Sequence, residues 1–199
     1  ELPKIATINV HPSLLPKYRG PNPYLQSIWH KEKYSGVTFH LMTNKLDSGA
    51  ILAQAKVEIL NIDTGKELKS KTVFKARLLC TELLNNLKKG YIVPIPQNEK
   101  LSTYYKEISP EDMTLNFERE TSDEIMAHIR AFYPFRPTYI QEVNNFWIVN
   151  PYKIQITDKK DIPAKIIYKK KEIIEIACKD GVVMRFEQLK KYRKFWLKK

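Results

Sequence analysis

Cysteine is scarce in this chain: Cys80 and Cys178 are the only two among 199 residues. They lie too far apart in sequence to form a ligand pair, and no His or Cys sits near either at metal-binding spacing, so no metal site is read. The two read as buried free thiols in a reducing cytoplasm rather than as a bridge. Glycine is scarce too, at six residues. None falls in a dinucleotide fingerprint, a phosphate-cradling loop or a serine nucleophile elbow, which leaves those enzyme classes without support. No apolar run approaches ~20 residues, so no segment reads as a membrane-spanning helix, and the opening residues carry no leader pattern. Acidic residues are in deficit, 22 against 34 Lys and Arg, for a net charge of +12.

What is present suits a folded protein. Hydrophobic residues make up 43% and charged residues 28%, and the length fits one large domain or two small ones. The positive charge concentrates late: residues 151–199 hold 15 Lys and Arg against 6 Asp and Glu. Such a field favours an anionic partner, nucleic acid first. The plainer reading is a lysine-rich solvated surface.

The first half alternates strand and helix. Residues 5–10 read as a buried strand and residues 11–23 as a proline-framed loop. "NPYLQSIWHKEK" reads as a helix, with Asn22 as its cap and Pro23 at its first position. Strands follow at 36–42 and over "ILAQAKVEI", separated by the loop "TNKLDSGA". Residues 66–89 read as a long helix, because Leu68, Thr72, Ala76, Leu79, Leu83 and Leu87 recur at spacings of three and four. Residues 93–103, with two prolines, read as a linker. Domain bounds are therefore 1–92 and 104–199. The second domain opens on a helix from about Ser122 to Phe132. β-rich runs follow at 138–149, 152–157, 164–169, 172–178 and 182–187, which suggests a small sheet or barrel. From about Glu187 a short helix is expected, with Leu189, Tyr192, Phe195 and Trp196 on one face.

One stretch asks for more than packing. In "INVHPSLLPKYRG", residues 8–20, Asn9 and His11 are two apart, so on a strand they face the same way. Two donors converging at a strand end suit a carbonyl oxygen that becomes an oxyanion. A carboxylate would complete the set by orienting the imidazole, and Asp47 in "LDSGA" is the candidate, with Gly49 permitting a close backbone approach. His30 reads as a helix-surface residue, His40 as a strand residue and His128 as a packed helix residue. None of the three shows a partner pattern.

"NVHPSLLPKYRG" followed by "SGVTFHLMTNKLDSGAILAQ" resembles the N10-formyltetrahydrofolate-dependent formyltransferases. "ISPEDMTLNFERETSDEIMAHIRAFYPFRPTYI" resembles the start of the C-terminal domain in methionyl-tRNA formyltransferases and related sugar enzymes. The resemblance covers nearly the whole chain and begins partway into the family's catalytic domain. It implies an α/β fold, the C-terminal half of a Rossmann-like formyltransferase domain, followed by a β-rich, OB-like barrel domain. Asn9, His11 and Asp47 match the family's catalytic trio. Ser13, Leu14, Leu15 and Pro16 match the segment lining the folate site, and the loop Leu46–Gly49 would help hold the pterin through backbone. The implied reaction is formyl transfer from N10-formyltetrahydrofolate to a primary amine. No metal is implied. "RGPNPYLQS" departs from the pattern typical of the methionyl-tRNA enzymes, and Pro12 stands where Gly is common. Methionyl-tRNA is the expected acceptor, with tRNA as partner, and an amino-sugar nucleotide is the alternative. A third reading from another class is a non-catalytic nucleic-acid-binding module.

Overall fold

A computed structural model describes residues 6–143 and 145–192. The chain divides between Glu107 and Ile108 into two compact units.

The first unit holds a three-stranded antiparallel sheet in the order β1 (Ile8–His11), β2 (Tyr34–Leu41), β3 (Ile51–Glu58). Two helices complete it, α1 (Pro23–Trp29) and α2 (Gly65–Lys88). β2 is central, and its residues Ser35–His40 are all buried. Its alternation sorts two faces. Val37 and Phe39 enter an apolar core with Leu83 of α2, flanked by Leu52, Ala55, Ala76 and Leu79. Thr38 and His40 point to the other face. The expected stripe of α2 is largely in place, with Leu68, Thr72 and Leu83 buried, but Leu87, the penultimate residue of the helix, is exposed. Thr64 and Glu67 form a reciprocal capping box at its start. The opposite face of α2 exposes Val73, Phe74, Leu78 and Leu84. β1 is an edge strand of its sheet, and its Val10 is half-exposed.

Two local expectations change. Asn22 does not cap α1: its backbone is left-handed and its side chain makes no cap bond, reaching Glu107 Oε1 instead at 2.7 Å. The helix also stops at Trp29, because the chain turns through a left-handed Lys31 to feed β2.

Residues 93–103 are not a free linker. Ile95 and Ile51 exchange backbone hydrogen bonds of 2.8 Å in both directions. Thr103 and Tyr105 bond the backbone of Arg19. The prolines do keep this segment out of regular structure, but its polar groups still find partners on the first unit. The boundary therefore falls later than the composition suggested.

The second unit opens with α3 (Ser122–Phe132), capped by a Thr121–Glu124 box. Its strands form two antiparallel sheets. One has the order β10 (Lys190–Tyr192), β5 (Asn145–Ile148), β4 (Tyr139–Glu142). The other has the order β6 (Ile154–Lys160), β9 (Val182–Phe186), β8 (Ile173–Ala177), β7 (Ile166–Lys170). Ile125 and Ile129 of α3, Ile140, Ile174, Met184, Phe186 and Leu189 share one core. The run 138–149 is thus a hairpin rather than one strand, turning at a left-handed Val143.

The expected terminal helix is absent up to Tyr192. Gln188 adopts a left-handed turn, Leu189 is buried, and Lys190–Tyr192 pair with β5. An unpaired edge of β5 outweighs a weak helical periodicity, since each strand residue gains ladder bonds there. Phe195 and Trp196 lie outside the described residues. Both cysteines are free, and burial pushes the Cys178 thiol up to about 12.

Candidate active site

The site grows from the sheet face opposite α2. β1 presents Asn9 and His11 there, and β2 presents their register partners: Asn9 lies opposite His40, and His11 opposite Thr38. Beyond β2 the chain loops out and back, bringing in Asp47. Asp47 sits in the left-handed region with φ 49°, which Asp tolerates better than most residues. Gly49 makes that return feasible: a Cβ there would lie 1.7 Å from the Leu41 carbonyl oxygen. No side chain fits so close to backbone.

The three side chains expected to meet do so. Asn9 Nδ2 lies 3.4 Å from Asp47 Oδ1, and His11 Nδ1 lies 3.5 Å from Asp47 Oδ2. Asp47 is buried, and its Oδ2 also accepts the Gly20 amide at 2.9 Å. Gly20 itself has φ 96°, and a Cβ there would meet the Tyr105 carbonyl oxygen at 2.3 Å. The "RG" of the loop is thereby tied to the carboxylate by a backbone donor.

His11 is buried, and its Nε2 lies 2.7 Å from the Tyr18 carbonyl oxygen. A carbonyl only accepts, so the ring proton sits on Nε2 and Nδ1 faces Asp47 bare. Burial lowers the His11 pKa below 6.5. The Tyr18 carbonyl and the Asp47 charge oppose that shift, and His40 adds slightly to it. The net result is a neutral imidazole poised to take a proton on Nδ1, with a carboxylate in place to stabilise the cation formed.

The proline-framed loop is held from beneath. Thr38 Oγ1 donates to the Ser13 carbonyl at 2.7 Å and accepts from the Leu15 amide at 3.2 Å. Gln54 Nε2 donates to both Leu15 O and Thr38 Oγ1. Ser13 and Leu15 are buried, and the Ser13 hydroxyl is spent on Lys17 O at 2.8 Å. Leu14 and Pro16 are the half-exposed members of the expected folate-lining quartet.

Sequence reasoning missed two participants. His40 is buried and its Nε2 lies 3.2 Å from Asn9 Nδ2 and 3.6 Å from Asp47 Oδ1. The strand register would have found it, since it is the cross-strand neighbour of Asn9. Gln97, in the supposed linker, donates to Asp47 O at 2.8 Å and Gly49 O at 2.7 Å. Its Oε1 accepts from Arg19 at 2.8 and 3.2 Å, and Arg19 in turn holds Glu99 in a two-pronged pair. The carbonyls of Asp47 and Gly49, two backbone groups of the loop expected to help hold a pterin, are bonded by Gln97. No local pattern announces Gln97, because its partners are about fifty residues away.

The family model "Formyl transferase" matches residues 1–84, and "Formyl transferase, C-terminal domain" matches residues 107–195. The chain belongs to the formyltransferase family. The methionyl-tRNA formyltransferase of Enterococcus faecalis is 35% identical over 190 residues, covering 94% of this chain and 59% of that protein. That of Synechococcus sp. is 41% identical over 134 residues, covering 67% of this chain and 41% of that protein. This formyltransferase chain thus spans about half the length of the curated relatives it matches, 59% and 41% of these two. Among solved structures, an N-formyltransferase from Helicobacter canadensis, in complex with folinic acid and dTDP-3-aminofucose, is similar with TM-score 0.70 and 26% identity. The match covers 93% of this chain and 66% of that one.

Proposed function

We propose that the protein carrying this chain transfers a formyl group from N10-formyltetrahydrofolate to the amino group of methionyl-tRNA. The observation that carries the reading is the convergence of Asn9, His11 and Asp47 on one face of the sheet. The donor set fits the chemistry: an amide N–H for an oxygen gaining charge, a neutral imidazole for a proton, and a buried carboxylate for the resulting cation. Leu14 and Pro16, in the loop that leaves β1 at His11, are half-exposed and available to an apolar face of the folate.

The folate supplies an activated formyl carbon. Asn9 donates an N–H to the formyl oxygen as negative charge develops there. His11 accepts the proton lost by the attacking amine on Nδ1, so that the imidazolium spans the Tyr18 carbonyl and Asp47. The same proton is then available to the departing nitrogen. The Nε2–H donated to the Tyr18 carbonyl orients the ring, and Asp47 accepts from Nδ1 once the imidazolium has formed. Formyl carbon gains one bond to nitrogen and loses another, so the exchange needs no oxidant or metal.

The acceptor reading rests on the curated relatives, which are methionyl-tRNA formyltransferases, and on the basic run 151–199, with 15 Lys and Arg against 6 Asp and Glu. A sugar acceptor is the second reading, favoured by the structural neighbour in complex with dTDP-3-aminofucose. The test is formyl transfer by the full enzyme to methionyl-tRNA and to dTDP-amino sugars side by side. Transfer to the tRNA alone supports the first reading, and transfer to the sugar alone replaces it. Asp47→Asn is expected to lower kcat by about 10²–10⁴-fold, the range for loss of acid–base function. A variant with kcat within a fewfold of the parent would remove Asp47 from the mechanism.

A further inference from the structure

Asn9 can serve an oxyanion only if its NH2 end, not its carbonyl end, faces the reacting oxygen. A carboxamide has no intrinsic preference between the two, since a half-turn about its last bond exchanges oxygen and nitrogen in nearly the same space. Something must choose. Asp47 contributes, but at 3.4 Å its contact with Asn9 is long.

His40 supplies the closer partner. Its Nδ1 lies 2.9 Å from the Leu41 carbonyl oxygen, so Nδ1 carries the ring proton, by the same logic that placed the His11 proton on Nε2. Nε2 is then a bare acceptor, 3.2 Å from Asn9 Nδ2. The flipped amide would put its carbonyl oxygen against that lone pair and against the Asp47 carboxylate. Both contacts would be repulsive inside a buried site, where unpaired polar groups cost most. The Leu41 carbonyl is itself fixed, because the chain returns at Gly49 directly against it. The order of control runs from Gly49 to Leu41 O, from there to the His40 tautomer, and from the tautomer to the Asn9 amide.

We propose that His40 is a positioning residue that fixes the Asn9 carboxamide with its NH2 end toward the reaction. It retains one amide hydrogen and leaves the other, held only loosely by Asp47, for the formyl oxygen. The effect on turnover rests on the formyl-transfer reading, whereas the link between His40 and Asn9 does not.

Two measurements separate these. Long-range 1H–15N correlation on histidine-labelled chain reads the tautomer without any substrate. His40 is expected to show a protonated Nδ1 and a bare Nε2. A protonated Nε2 overturns the proposal, since it could not accept from Asn9. In the second measurement, His40→Leu in the full enzyme is expected to lower kcat about tenfold to a hundredfold, less than outright loss of an oxyanion donor. The KM for the formyl donor should stay within about twofold. His40→Gln, which can place an amide oxygen near the former Nε2, should recover most of the loss. In an Asn9→Ala background the His40→Leu change should cost nothing further. Equal losses in both backgrounds would mean that His40 acts without Asn9 and would sink the idea. If His40→Leu does not fold, the tautomer and the Gln variant still decide. A parent enzyme with no formyl transfer at all would refute the functional reading and leave the tautomer result to judge His40.

Discussion

At the scale of single residues the site depends on protonation states set by neighbours rather than by residue type. His11 is the clearest case. Its pKa is lowered mainly because burial penalises the cation, so the free base persists below the ordinary value of 6.5. The acid limb of kcat/KM should accordingly have its midpoint below 6.5, which a pH–rate profile reads. A midpoint above 7 would mean that the Asp47 charge outweighs burial. The sign for stability is the same. The unfolded chain binds this proton more readily, so the His11 contribution is present above pH 6.5 and is lost as pH falls through the lowered value. Asn9 and His40 make a related point in neutral groups: which end of the Asn9 amide faces the site follows from which nitrogen of His40 carries the proton.

At the scale of elements, the segment 95–105 does unexpected work. It lies along the first unit and inserts Gln97 beneath the Leu46–Gly49 loop, where its amide bonds Asp47 O, Gly49 O and Arg19. Gln97→Leu removes both donors that hold Asp47 O and Gly49 O, and is expected to cost about 1–3 kcal/mol of stability. Gln97→Glu keeps an oxygen for Arg19 but turns a carboxylate on two carbonyls. It should lower kcat about tenfold or more by displacing Asp47. Thermal unfolding alongside kcat separates the effects, and unchanged turnover in the Glu variant would reduce Gln97 to packing. The helix starts are simpler. Thr121 and Glu124 cap α3 reciprocally, with 2.8 Å from the Thr121 amide to Glu124. Thr121→Ala should therefore cost ~1 kcal/mol in denaturant unfolding, with the slope m unchanged.

At the scale of the whole molecule, charge is the property to test. The second unit carries exposed Lys190 on its terminal strand, with Lys191 beside it near the Trp147 ring. If these cations meet tRNA phosphates, Lys190→Glu with Lys191→Glu should weaken binding across tRNA sequences and make the log–log salt dependence shallower by about one unit per lost contact. The readout is tRNA affinity at several salt concentrations. An unchanged slope would leave Lys190 and Lys191 as solvated surface and weaken the argument from charge for a tRNA acceptor.

Period-two and period-three-to-four patterning determined most elements, because burial of one face is a local property that each strand and helix writes into its own sequence. That is why α2, α3, the central strands and the Asn9–His11 pair were legible, and why Asp47 and Gly49 could be read from a short loop. Over its described part, up to Tyr192, the terminal helix failed for the opposite reason. Leu189 and Tyr192 fit a helical face, but β5 offered an open edge that only the assembled sheet possesses. The linker failed likewise, since two prolines say that residues 93–103 are irregular but not that their side chains are anchored. His40 and Gln97 lay hidden because their roles depend on register and on contacts far along the chain. Sequence fixes which face a residue shows, whereas only the tertiary structure decides what stands opposite it.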